Sequence, residues 1–183
     1  MGHARIEMPG LYVRAFRSLG FGTFILAALL FLSAGTLEFW QAWVFLAVFT
    51  SASAAITAYL AIHDPELLDR RMRGGPFAEK ERSQKIIMLF VMIGFAGFLV
   101  VAAFDRRFGW SRVPAYVCWM GEALMAIGFL LVWSVLKANP FAASTIQIAE
   151  GQSVISTGPY ALVRHPMYGG SMPLLAGVPL ALG

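Results

Sequence analysis

Long apolar runs separated by short polar connections dominate the chain. The first extends from about Leu19 to Leu37 and the second from Trp43 to Ile62. The third covers about Ile86 to Phe104 and the fourth about Val113 to Leu136. A last apolar run begins near Ser171. Each of the first four approaches the ~20 residues a helix needs to cross the hydrocarbon of a bilayer. The pattern predicts an all-α, polytopic membrane helical bundle with four complete spans plus the start of a fifth. The first run is longer than the ~7–15 residues of a signal-peptide core, so it is expected to be a retained helix. Glu38 is the one charge between the first two runs, and Phe39, Trp40 and Trp43 cluster there. That is the arrangement of a tight hairpin turning at an aromatic interface belt.

The polar connections carry their own signals. In the 63–85 loop, Asp64-Pro65-Glu66 combines an N-capping side chain with a proline suited to the first helical position. Leu67, Leu68, Arg71 and Met72 then share one side, which predicts a short amphipathic interfacial helix lying on the membrane surface. Gly74-Gly75-Pro76 breaks it. Pro140 closes the fourth run by disfavouring helical backbone at Asn139.

Composition agrees with the pattern. The 183 residues are 58% hydrophobic and 13% charged, with a mean hydropathy of +0.70. A soluble chain would be about 25% charged. The expectation is an integral membrane protein forming a single transmembrane domain over residues 1–183. The net charge of +4 could suit nucleic acid, but the basic residues flank the apolar runs and form no stripe among exposed aromatics. Topology accounts for them. Eleven fall on one side of the predicted spans and three (Arg106, Arg107 and Arg112) on the other. The positive-inside rule then puts the N-terminus and residues 157–170 in the cytoplasm. Cys118 is alone and the three histidines are widely spaced, so neither a disulfide nor metal chemistry is expected. Glu122 lies well inside the fourth run, near mid-membrane at ~1.5 Å per residue. An ionisable group at that depth faces the bundle interior or marks function.

Candidate chemistry concentrates in Thr157-Gly-Pro-Tyr-Ala-Leu-Val-Arg-His-Pro-Met-Tyr-Gly-Gly170. Gly158-Pro159 makes a turn, and Tyr160 to Arg164 can form one helical turn that Pro166 ends. Arg164 offers a fork of donors for a carboxylate or phosphate. His165 can donate or accept a hydrogen bond, Tyr168 adds a ring and a hydroxyl, and Gly169-Gly170 allow close approach to the backbone. The helix that follows would present free N–H groups to an anion. Together these suit a small ligand with an anionic group and a flat ring.

Gly158-Pro159-Tyr160 followed by Arg164-His165-Pro166-Met167-Tyr168-Gly169 resembles the signature of the isoprenylcysteine carboxyl methyltransferase family. That superfamily also includes phospholipid methyltransferases. Asn139-Pro140-Phe141 and Asp64 to Arg71 are also similar to bacterial members. The resemblance implies S-adenosyl-L-methionine as methyl donor, bound at the cytoplasmic face beneath a lipid-accessible cavity. It places Tyr160, Arg164, His165, Tyr168 and Gly169 in the cofactor pocket. The methyl acceptor would be a carboxylate, thiol or amine of a membrane lipid or a small hydrophobic molecule. Alignment and desolvation would dominate such a transfer. Family members carry, beyond the equivalent of Gly183, a further apolar segment and a tail with Arg and paired Glu. The resemblance assigns the catalytic residues to that tail, which this sequence does not contain. Two other readings are an NADPH-dependent membrane sterol or enone reductase and a non-catalytic membrane module.

Overall fold

The computed structural model describes residues 8–74, 81–142 and 155–183. Among them the regular structure is entirely helical. The helices are α1 (Met8–Ala34), α2 (Trp40–His63), α3 (Pro65–Met72), α4 (Arg82–Phe108), α5 (Ala115–Ala138) and α6 (Pro166–Leu182). A 3-10 turn, Gly158–Ala161, precedes α6. Gly75, Pro76, Arg5 and most of the connection after Ala142 lie outside the described residues. Four helices, α1, α2, α4 and α5, are long and apolar enough to cross a membrane.

Their ends follow local chemistry. Gly35 takes the left-handed conformation at φ +69° and closes α1 with a 2.9 Å bond from its N–H to the Phe31 carbonyl. Only glycine enters that region without steric cost. The Thr36 hydroxyl accepts from the Glu38 N–H, and the Trp43 indole donates to the Leu37 carbonyl at 3.0 Å. The hairpin expected between the first two spans is therefore hydrogen-bonded. At the start of α3 the Asp64 carboxylate accepts from the Leu67 N–H at 2.9 Å, with Pro65 at the first helical position. This is the cap read from the sequence.

The spans reach further than the apolar runs. α1 begins at Met8 rather than Leu19, so Arg14 and Arg17 sit on its first turns. α4 runs from Arg82 to Phe108. Charged residues read as flanks belong to helix ends that extend past the apolar cores. A larger correction concerns α6, which begins at Pro166 rather than near Ser171. The ring that would end a preceding turn instead occupies the first helical position, where no N–H is needed and φ is already set.

α1 packs on α2 and α4, while α6 contacts α2, α4 and α5. The α5–α6 contact brings two backbones together. A Cβ at Gly121 would lie 2.2 Å from the Ala181 nitrogen, and one at Gly177 would lie 2.6 Å from the Gly121 oxygen. Gly128 faces Leu174 and the Gly170 carbonyl oxygen, and Gly170 faces Val132. Gly121, Met125, Gly128 and Val132 thus oppose Gly170, Leu174, Gly177 and Ala181 with the same 4-3-4 spacing. Small residues at this spacing let backbones meet in lipid, where apolar burial between helices drives little.

The main core joins Leu30, Phe39, Phe45, Leu99, Met125 and Leu182. The outer face of α4 is exposed at Ile86, Ile87, Phe90, Val91, Ile93 and Phe98. A contiguous apolar surface of this kind calls for a hydrocarbon environment. A second cluster joins Leu11, Ala15, Leu60, Leu67, Leu68 and Leu136, with Met167 of α6 packed on it. It ties the start of α1, the end of α2, α3, the end of α5 and the start of α6 into one end of the bundle. The Tyr12 hydroxyl reinforces it, donating to the Ala61 carbonyl at 3.0 Å.

Candidate functional site

The 157–170 stretch is a connector from the end of α5 to the start of α6. Thr157 is extended, and Gly158 takes φ +59° to open the 3-10 turn. Pro159 accepts at its carbonyl from Leu162 and Val163. Tyr160 is half-buried, and its hydroxyl receives a 2.8 Å hydrogen bond from the Asn139 side-chain amide. The Asn139 carboxamide oxygen accepts from the Phe141 N–H at 2.9 Å. One side chain therefore braces both the end of α5 and the turn.

Beyond the turn the side chains open outward. Arg164 and His165 are exposed, and Tyr168 is 70% exposed. Arg164 has no hydrogen bond or ion pair among the described residues. The His165 and Tyr168 rings lie 5.8 Å apart, centre to centre, tilted by 49°. His165 is the N-cap residue of α6 but does not cap it through its side chain; its carbonyl accepts from the Tyr168 N–H at 3.1 Å. That bond occupies one of the first-turn N–H groups expected to be free.

The two adjacent glycines separate in role. Gly170 is buried against Val132, with a Cβ position 3.0 Å from the Val132 nitrogen. Gly169 is exposed, and a Cβ there would meet nothing within 4 Å. Helix packing requires Gly170, whereas no protein neighbour requires Gly169.

A connection invisible in the sequence ties α3 to this region. Arg71 donates to the Ala142 carbonyl at 3.0 Å and Arg70 to the Pro140 carbonyl at 2.7 Å. Burial lowers the Arg71 pKa from its ordinary value. Arg71 also lines a cavity of about 660 Å³ between α1, α2, α5 and α6. Hydroxyls of Ser18, Thr23, Ser53 and Thr57 lie on its wall, and Leu174 reaches it from α6. An apolar groove of about 710 Å³ lies between α2 and α5, lined by Ala52, Tyr59, Leu130 and Trp133 among others. Ile56 and Phe129 line both spaces.

Residues 116–183, which hold α5, the connector and α6, match the family model of the phospholipid methyltransferases. Over that segment the chain is similar to the phospholipid methyltransferases. The match covers the whole candidate motif and the glycine-paired helices that carry it. No curated protein and no solved structure matches the chain significantly.

Glu122 is 5% exposed, and neither of its carboxylate oxygens has a hydrogen-bond partner among the described residues. It faces the bundle interior, far from the connector along α5. Its depth in the fourth run singled it out, and the structure brings no site residue to it.

Proposed function

We propose that the protein is an S-adenosyl-L-methionine-dependent membrane methyltransferase whose cofactor pocket is built on the α5–connector–α6 unit. The observation that carries this reading is the methyltransferase-family match over that unit, with the Arg164, His165, Tyr168 and Gly169 surface at its exposed end. The donor set fits the cofactor. Arg164 can hold the methionyl carboxylate through two parallel hydrogen bonds. The His165 and Tyr168 rings offer faces to the adenine, and Gly169 leaves room for close approach. Tyr160 contributes through position, because Asn139 fixes its ring against α5. When bound, the cofactor supplies an electrophilic methyl on a sulfonium.

The chain's own residues would bind and orient the cofactor. The end of the bundle that carries Arg14, Arg70, Arg71, Arg73, Lys137 and Arg164 is assigned to the cytoplasmic face by the positive-inside rule. A soluble cofactor reaches the connector there. The acceptor is a carboxylate, thiol or amine on a lipidic or small hydrophobic molecule. The cavity beside Arg71 and the groove beyond Ile56 and Phe129 give such a molecule a route from the bilayer. An ionised carboxylate acceptor needs no general base, so alignment of the two reactants is the main contribution.

The test is the thermal midpoint of the full chain in detergent, with either cofactor added. S-Adenosyl-L-methionine should raise it and NADPH should not. A rise with NADPH alone would favour a reductase, and no rise with either would favour a non-catalytic module.

A further inference from the structure

A second basic feature lies outside the family-matched segment. α1 and α3 form a crevice of about 530 Å³ lined by Arg14, Arg17, Ser18, Phe21, Met72 and Arg73. Three guanidinium groups line it, and two of them share a single carboxylate. Asp69, 6% exposed, pairs with Arg14 at 3.3 Å and with Arg73 at 2.6 Å. Arg17 is exposed and has no ion pair among the described residues. Among the described residues the crevice therefore carries more positive charge than Asp69 offsets, between two helices joined by the Arg14–Asp69 pair.

It adjoins the cavity beside the connector, with Ser18 and Met72 lining both. Arg71 and Arg73 are two residues apart on α3, which at ~100° per residue turns them to opposite sides. Arg71 lines the inner cavity and Arg73 the outer crevice.

Its placement on α1 indicates the kind of ligand. Arg14, Arg17, Ser18 and Phe21 follow i, i+3, i+4, i+7 spacing and share one helix face. Exposed Phe24 and Ile25 continue that face along the span. The two arginines lie within ~10 Å of Gly10 along the helix, where the spanning segment begins. Guanidinium forks at headgroup depth above an exposed aromatic and aliphatic stripe match one amphiphile, with phosphate above and acyl chains below.

We propose that the α1–α3 crevice is a binding site for the headgroup of an anionic phospholipid, held by Arg14, Arg17 and Arg73. Arginine suits this task because its planar fork binds phosphate through two parallel hydrogen bonds. Occupation would clamp α3 against α1. Through Arg71 and the Ala142 carbonyl it would steady the connector. The site is independent of the methyl-transfer reading.

The test uses the full chain in an uncharged detergent, with dioctanoyl phosphatidylglycerol, dioctanoyl phosphatidylcholine or inorganic phosphate added at matched ionic strength. Phosphatidylglycerol at saturating concentration should raise the thermal midpoint by about 2–4 °C or more. Phosphatidylcholine and inorganic phosphate should leave it in place. Arg17→Gln should keep the unliganded midpoint, because Arg17 has no hydrogen bond or ion pair among the described residues, and weaken phosphatidylglycerol binding about tenfold. Arg17→Lys should recover part of the loss. The proposal is overturned by equal shifts from the two lipids, by no shift from either, or by full lipid response in Arg17→Gln. An equal effect of inorganic phosphate would replace the lipid by a free anion and overturn it as well.

Discussion

The Asn139 carboxamide donates to the Tyr160 hydroxyl at 2.8 Å and accepts from the Phe141 N–H at 2.9 Å. It thereby fixes the connector relative to the end of α5. Asn139→Ala removes both bonds and should cost about 1–2 kcal/mol, with Tyr160→Phe costing about half of that. Thermal unfolding in detergent measures both. Equal midpoints for Asn139→Ala and the parent would show that the brace contributes nothing.

The α5–α6 interface predicts a sharp contrast among glycines. Gly121→Ala places a methyl against the Ala181 backbone and should destabilise by about 1–3 kcal/mol. Gly94→Ala meets nothing within 4 Å and should be neutral or stabilising by up to about 1 kcal/mol, because alanine favours the helix. Midpoints of the two variants, measured side by side, decide the matter.

Gly169 and Gly170 should separate in the same way, but between stability and binding. Gly170→Ala presses on Val132 and should lower the midpoint. Gly169→Ala should leave the midpoint unchanged and weaken binding of S-adenosyl-L-methionine. Unchanged cofactor affinity in Gly169→Ala would remove that residue from the pocket.

Glu122 is buried, and among the described residues neither oxygen has a partner, an arrangement that costs about 1–3 kcal/mol relative to a satisfied or apolar group. Glu122→Met should therefore raise the unfolding midpoint. A fall would show that the carboxyl group makes an interaction that stabilises the fold.

Much of the architecture was legible in the chain. Four spans follow from apolar run length, and the α3 cap follows from Asp64-Pro65. The limits of reading appear where one residue serves two opposite rules. Pro166 both ends helices and starts them, and in the fold it takes the first position of α6. The pairing of Gly121 and Gly128 with Gly177 and Gly170 is silent in sequence, since small residues inside apolar runs give no contrast in polarity. Arg71 and Ala142 are 71 positions apart, and nothing local marks their bond. The site residues themselves stood out because Arg, His and Tyr are conspicuous in an apolar chain. Their shared exposure at one end of the bundle required the fold.

The connector and the start of α6 are proposed to hold S-adenosyl-L-methionine. Calorimetric titration of the full chain in detergent tests it most directly. Saturable binding is expected, weakened about tenfold or more by Arg164→Ala, because a charge-assisted bidentate contact would be lost. Tyr168→Phe should weaken it less, since the ring is kept. Absence of binding, or binding identical in Arg164→Ala, Tyr168→Phe and the parent, would contradict the account.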